Sequence, residues 1–244
     1  MQVEEYGKLR DLEDSYWWFV ARRELAIDLI RGQLGPGPIL DMGCGTGAVL
    51  TELQALAPAI GLDVSPVALK FCQERGLRNL VAGDAQALPF QGSTFSAVVA
   101  LDVIEHVADD AAAVRQAACA LRPGGVLVIN VPAFQSLWGP HDVALHHHRR
   151  YRAHDVRRLV EGAGLRVVRL SYGVFLLFPV VLFVRLIEKT RGGKAEVRLP
   201  RVPAWLNRFL IGLQRFESKL MSWISLPWGS SIVVVARKQE EIDK

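Results

Sequence analysis

Cysteine is scarce in this 244-residue chain, and the shortage is informative. Cys44, Cys72 and Cys119 are odd in number, widely spaced and form no CxxC pair. That excludes a zinc ribbon, a redox dithiol and a disulfide-stapled scaffold, and makes a reducing cytosol the expected compartment. The sequence also has no internal repeat and no low-complexity tract. No apolar run reaches the roughly twenty residues needed to span a bilayer. The opening stretch, MQVEEYGKLRDLED, is too acidic and polar to read as a signal peptide. Half of the residues are hydrophobic and only 22% are charged, which excludes a disordered chain. A chain of this length can bury a sizeable core without staples.

Acidic residues run short in one region only. Residues 1–172 carry 17 Lys+Arg against 19 Asp+Glu, whereas residues 173–244 carry 12 against 6. Nucleic acid is not the expected partner, because the basic part is also the most hydrophobic part. That combination points to an anionic membrane surface or an amphipathic ligand.

Short apolar runs alternate with helical stretches over residues 38–131. PILDM, AIGLDV, LRNLVAGD, FSAVVALD and VLVINVP read as strands. AVLTELQAL, PVALKFCQERG and VADDAAAVRQAACALRPGG read as helices, the last stopped by Pro-Gly-Gly. This alternation predicts an α/β fold of βαβ units with a parallel sheet covered on both faces. A helix over 153–161 and the strand LRVVRLSY add another unit, and SSIVVVARK is the final strand. Ahead of the sheet, DSYWWFVARRELAIDLIRG reads as a helix, with Phe19, Arg22, Leu25 and Leu29 at helical spacing.

ILDMGCGTG places Gly43, Gly45 and Gly47 between a buried strand and a helix start. Glycine permits sharp turning and close approach to a ligand, and the helix start offers unpaired N–H groups. The spacing is GxGxG, not the GxGxxG of dinucleotide sites. Asp41 stands where a pyrophosphate would be repelled and an ammonium favoured. Asp63, twenty residues after Gly43, ends the second strand, where a carboxylate accepts from ribose hydroxyls. A ribose with an ammonium and no phosphate describes S-adenosylmethionine.

The ordered blocks ILDMGCGTG, IGLDVSP, GDAQALPF, FSAVVALDVIEHV and LRPGGVLVINVP resemble those of class I S-adenosylmethionine-dependent methyltransferases. The resemblance covers roughly residues 38–170 and 230–238. It implies a doubly wound, Rossmann-like, seven-stranded sheet with an antiparallel last strand. It further implies a cofactor site of Asp41, Gly43, Gly45, Gly47, Asp63, Val64, Asp84, Ala85, Leu101 and Asp102. Asp63 would hold the ribose and Asp84 the adenine amino group. Leu101 and Asp102 would lie near the methionine moiety. The expected layout is one methyltransferase domain: a helical cap (1–35), a core (36–172 and 230–238) and a helical hydrophobic insertion before the last strand (173–229).

Two polar segments follow strands four and five, at the sheet edge where ligands bind in such folds. One carries Asp102, Glu105 and His106. The other packs His141, Asp142, His146, His147, His148, Arg149, Arg150 and Tyr151 into eleven residues. It is similar to an Asp, His, Arg-Arg-Tyr pattern of bacterial cell-envelope methyltransferases. That similarity implies His147 as general base, with Asp142, Arg149, Arg150 and Tyr151 contacting substrate. His146 stands where a glycine is more usual. Asp102, Glu105, His106 and His147 also resemble a metal-binding set of other methyltransferases, but no metal is expected, because Glu-His is common here in metal-free enzymes.

Residues 173–229 exceed what a minimal sheet needs. GVFLLFPVVLFVRLIEK is apolar until Arg185 and is interrupted by Pro179. After the linker RGGKAEVRLPRVP, the helix AWLNRFLIGLQRFESKLMSWI gathers Trp205, Phe209, Leu213, Phe216, Leu220 and Trp223 in an apolar arc of about 160°. Arg208, Arg215 and Lys219 lie opposite, while Glu217 breaks the arc. The segment holds nine Lys+Arg against three Asp+Glu, the composition of an interfacial membrane helix or a basic lid. The expected protein is an O-methyltransferase acting on a small, lipid-linked or amphipathic hydroxyl acceptor, such as an envelope glycan or polyprenyl-linked sugar. A quinol or isoprenoid acceptor is the alternative, and a non-catalytic cofactor-binding membrane partner is a third reading. The expected location is cytoplasmic, peripheral on the inner face of the membrane.

Overall fold

The computed structural model describes residues 3–191 and 202–240. Most of the linker expected over 191–203 lies outside them. The chain opens with α1 (Val3–Leu12) and α2 (Trp17–Arg31). The helix expected from Asp14 therefore starts three residues later, after a turn at Asp14–Tyr16. The sheet begins with β1 (Ile39–Met42), α3 (Ala48–Gln54), β2 (Ala59–Asp63), α4 (Pro66–Glu74) and β3 (Leu80–Ala82). It continues with β4 (Phe95–Leu101), a 3-10 turn (Ile104–His106), α5 (Asp110–Ala120) and β5 (Leu121–Pro132). A second 3-10 turn (Gln135–Leu137), α6 (Pro140–Ala144), α7 (Ala153–Gly162) and β6 (Leu165–Gly173) follow. The insertion supplies α8 (Phe178–Arg191) and α9 (Ala204–Trp223) before β7 (Ser231–Lys238).

The strand order is β3-β2-β1-β4-β5-β7-β6, with β7 antiparallel to both neighbours. This is the expected Rossmann-like, seven-stranded sheet with a reversed last strand. Every residue of β1 and β4 is buried, as a central parallel strand covered on two faces requires. On one face Leu40, Val98 and Ile129 meet Ala113, Val114 and Ala117 of α5. On the other, Ile39, Val99 and Val128 meet Ile27 and Ile30 of α2 and Leu50 of α3. The Pro-Gly-Gly stop expected to end α5 lies instead within β5, which already starts at Leu121 and carries a register shift against β4.

The parallel strands and β6 all end at one edge of the sheet. Three of the non-glycine residues with positive φ follow strand ends there: Asp102 (φ 54°) after β4, Phe134 (φ 56°) after β5 and Val174 (φ 58°) after β6. For a β-branched residue such as Val174 that conformation costs on the order of 1–3 kcal/mol. The strain is concentrated where the chain leaves the sheet toward the candidate site.

Candidate active site

The glycine loop turns out of β1 with φ of 78°, 53° and 92° at Gly43, Gly45 and Gly47. A Cβ on Gly43 would meet Val103 Cγ2 at 2.6 Å, and one on Gly47 would meet Leu77 Cδ1 at 2.6 Å. Both positions thus need glycine for space as well as conformation. Gly45 differs, because a Cβ there would face open space. Its N–H donates to Asp63 Oδ2 at 2.9 Å, and the Ser65 N–H donates to Oδ1 at 2.8 Å. Each carboxylate oxygen keeps a further lone pair for a ligand hydroxyl. Burial raises the pKa of Asp63 against these hydrogen bonds.

Asp41 is buried on β1 beneath the loop, and its Oδ2 has no partner. Burial, then the charge of Asp63, raise its pKa to about 7. A ligand ammonium would satisfy such a carboxyl and favour its ionised form. Val64 stands mostly in solvent beside Asp63, an apolar surface at the mouth of the site. Asp84 is exposed, accepts from the Gln86 N–H at 2.8 Å and adjoins the buried Ala85. Leu101 is buried at the end of β4. The set fits S-adenosylmethionine: a paired acceptor for a ribose, an unmatched buried carboxyl for an ammonium, and an open loop backbone between them.

Asp102 accepts from Asn130 Nδ2 at 2.5 Å and forms an ion pair with Arg22. Arg22 arrives from α2 and is held over the Phe19 ring at 5.6 Å. Burial lowers its pKa to about 10, opposed by Glu105. Arg22 and Asn130 also line a cleft with Trp17, Trp18, Val174 and Glu217. Trp17 and Trp18 stand on the N-terminal helix where the sequence suggested a cover for the cofactor, whereas Arg22, Asn130, Val174 and Glu217 were not anticipated as site residues. The available signal was a lone charge, Arg22, on the apolar stripe of Phe19, Leu25 and Leu29.

Beside this lies a second cluster. Asp142, on α6, is fully buried and accepts from Arg150 Nε at 2.7 Å and from the Gly139 N–H at 2.9 Å. His147 Nδ1 lies 2.9 Å from Asp142 Oδ1. Burial opposes ionisation of Asp142, but the bonds from His147 and Arg150 outweigh it and hold its pKa below the carboxylate range. In a neutral imidazole, an ionised acceptor at this position fixes the hydrogen on Nδ1 and puts the lone pair on Nε2. Nε2 is buried without a partner, as are both oxygens of Glu105. Burial raises Glu105 to about 8, and burial, then His147, lower His106 to about 3. At neutral pH this makes Glu105 largely a carboxylic acid and His106 a neutral imidazole.

Glu105, His106 and His147 offer ligand atoms within 4.8 Å of one another, a set that could hold a metal ion. Asp102 does not join it, being tied to Arg22 and Asn130, so the four-residue set is corrected to three. The residues of the expected substrate clamp make bonds within the protein. Arg149 donates to the Val107 and Ala108 carbonyls and pairs with Asp110 at 2.9 Å. The buried Tyr151 hydroxyl donates to Asp110 Oδ2 at 2.8 Å. Arg150 also donates to the Ala133 carbonyl. With those bonds made inward, Arg149, Arg150, Tyr151 and Asp142 brace the loop. His146 takes the place of glycine at φ 56°, which explains why glycine suits that position.

Residues 40–129 match the family described as "Methyltransferase domain". The chain is 36% identical over 102 residues to the ubiquinone biosynthesis O-methyltransferase of Bordetella pertussis, covering 38% of this chain and 42% of that one. It is 29% identical over 167 residues to a protein of Mycolicibacterium smegmatis named a probable S-adenosylmethionine-dependent methyltransferase, covering 67% of this chain and 64% of that one. The chain thus spans about two fifths of the first relative's length and just under two thirds of the second's. Its fold is similar to that of a SAM-dependent methyltransferase from Archaeoglobus fulgidus, with a TM-score of 0.57, 19% identity, and coverage of 88% of this chain and 94% of that one.

Proposed function

From a chain whose central domain belongs to the class I S-adenosylmethionine-dependent methyltransferases, we propose an enzyme that methylates a hydroxyl of an amphipathic small molecule. The cofactor supplies a methyl group on a positively charged sulfur, open to in-line attack. The chain's own contribution is alignment at the ends of β4 and β5 and removal of the hydroxyl proton. The observation that carries the reading is the Asp142–His147 pair, whose hydrogen bond leaves Nε2 with a free lone pair beside Glu105. Glu105 in turn feels Arg22 of the cleft and Arg150 of the brace. Arg22, Asn130 and Glu217 give the cleft polar points among Trp17, Trp18 and Val174, as suits an acceptor with an apolar body and a polar end.

Two acceptor classes share this chemistry: an envelope glycan or polyprenyl-linked sugar, and an isoprenoid quinol. The relationship to a ubiquinone biosynthesis O-methyltransferase favours the quinol. Incubation with labelled S-adenosylmethionine and membrane lipid extracts, followed by mass spectrometry of the labelled product, distinguishes them. His147→Ala is expected to lower turnover roughly 100- to 10,000-fold while S-adenosylhomocysteine still binds in calorimetry. An unchanged turnover removes His147 from the reaction. Asp63→Ala is expected to weaken that binding by about 1.5–3 kcal/mol, and equal affinity would remove the ribose contact. Turnover is expected to survive chelation by EDTA. Loss restored by magnesium or manganese would instead assign an ion to Glu105, His106 and His147.

A further inference from the structure

The long helix α9 is turned inside out. Its buried residues are Gln214, Glu217 and Met221, two of them polar. Its aromatic residues face solvent: Trp205 is 67% exposed, Phe209 and Phe216 60% each, and Trp223 87%. At 100° per residue these four side chains fall within an arc of about 40°, so they form one continuous stripe along the whole helix. Beyond its C-terminal end Ile224 and Trp228 are also exposed. Val180, Phe183, Val184 and Leu186 of α8 add further exposed apolar surface. Single exposed apolar residues need no explanation, but a stripe of this length does.

The polar inner face is anchored by Asn207 and Glu217. Asn207 accepts from the Trp17 N–H at 2.9 Å and donates to the Ser15 carbonyl at 2.8 Å. Glu217 accepts from the N–H groups of Phe175 and Leu176 at 3.0 and 2.9 Å. These contacts fix which side of α9 faces inward, so rotation cannot hide the aromatics. Beside the stripe lie Arg208 and Lys219, both exposed and within about 60° of it. Arg215 is further round and forms a two-bond pair with Glu24. In sequence, the end of α8 and the connection to α9 together add Lys189, Arg191, Lys194, Arg198 and Arg201 against Glu188 and Glu196.

We infer that the outer face of α9 docks on an anionic lipid bilayer. Trp and Phe enter the interfacial layer, while Arg208 and Lys219 meet lipid phosphates, as charge complementarity requires. None of the described helices is long and apolar enough to cross a membrane, so the contact is peripheral. The inner face of the same helix lines the cleft through Gln214, Glu217, Ser218 and Met221. Docking therefore brings the cleft to the surface that carries amphipathic acceptors. Only this last step rests on the proposed reaction; docking itself is read without turnover.

The test is co-sedimentation of the full chain with vesicles of phosphatidylglycerol and phosphatidylcholine, and with phosphatidylcholine alone. Wild type is expected to sediment with the anionic vesicles and to be released by rising salt. Replacing Trp205, Phe209, Phe216 and Trp223 together by Ser is expected to abolish sedimentation. Arg208→Glu with Lys219→Glu is expected to weaken it at least tenfold. Both variants should bind S-adenosylhomocysteine as wild type does, which shows that they fold. Failure of the wild type to sediment with anionic vesicles overturns the inference. So does equal binding by the Ser variant, or a wild-type dimer in ultracentrifugation that the Ser variant dissolves, since the stripe would then be a subunit interface. Loss of methyl transfer with docking intact would count against the reaction alone.

Discussion

Helices α5 and α9 solve opposite problems. The Asp109 side chain caps α5 by accepting from the Ala112 N–H at 2.8 Å. Its buried residues are Ala113, Val114, Ala117, Ala118 and Ala120. Small side chains let it lie close on a sheet whose backbone groups are already paired. The longer α9 buries glutamine, glutamate and methionine and shows its tryptophans to solvent. It rests on the first turn of α2 and on the turn after β6, where unpaired backbone N–H groups need acceptors. The neighbour, not the hydrophobicity of the helix, decides which face goes inward.

Mutation breaks this contrast most forcefully in the core. Leu127, on β5 near α5, is buried, and Leu127→Ala is expected to lower stability to urea by about 2–5 kcal/mol. A smaller loss, about 1–3 kcal/mol, is expected from Glu217→Ala, which leaves two N–H groups unmatched. Glu217→Gln retains one acceptor oxygen and should recover part of it. Titration sharpens the comparison on the side of the strand-end cluster. Burial raises Glu105 from an ordinary 4.5 to about 8, with the facing Arg22 and Arg150 opposing the shift and Asp142 adding to it. The folded protein holds that proton more tightly than the unfolded chain. Its contribution is therefore complete below 4.5 and is lost as pH rises through about 8. Urea midpoints measured from pH 5 to pH 8 should fall less steeply for Glu105→Gln than for wild type, and parallel curves would remove Glu105 as the cause. The smallest effect belongs to the outer stripe. Trp223→Ser should change stability by no more than about 0.5 kcal/mol, because its ring has little to lose. A larger loss would mean that the stripe supports the fold.

The sheet and the cofactor loop were legible because their signals are local. ILDMGCGTG states a buried strand, a turn that needs glycine and a helix start within nine residues. The ends of β2 and β4 follow from the same period. The direction of α9 was not legible. Its apolar arc was visible, and so was the interruption by Glu217. Nothing local, however, said that Glu217 bonds the backbone of Phe175 and Leu176, some forty residues earlier. Arg22 was hidden likewise, since its partner Asp102 is eighty residues away. The density of charge over 141–151 was visible, but its direction was not: Tyr151 and Arg149 reach inward to Asp110, on a different helix.

The position of β7 has a consequence for synthesis. It lies between β5 and β6, and among the described residues β6 has no other strand beside it. As the chain leaves the ribosome, β6 is complete some sixty residues before the strand that must receive it. Until residues 231–238 emerge, β5 presents an open edge and β6 has no place in the sheet. The α8–α9 segment is made during that interval, tethered to a strand that is not yet seated. Closing so long a loop makes β7 insertion the late step of folding. A nascent chain stalled before Ser231 would therefore carry exposed strand edges and be prone to aggregate.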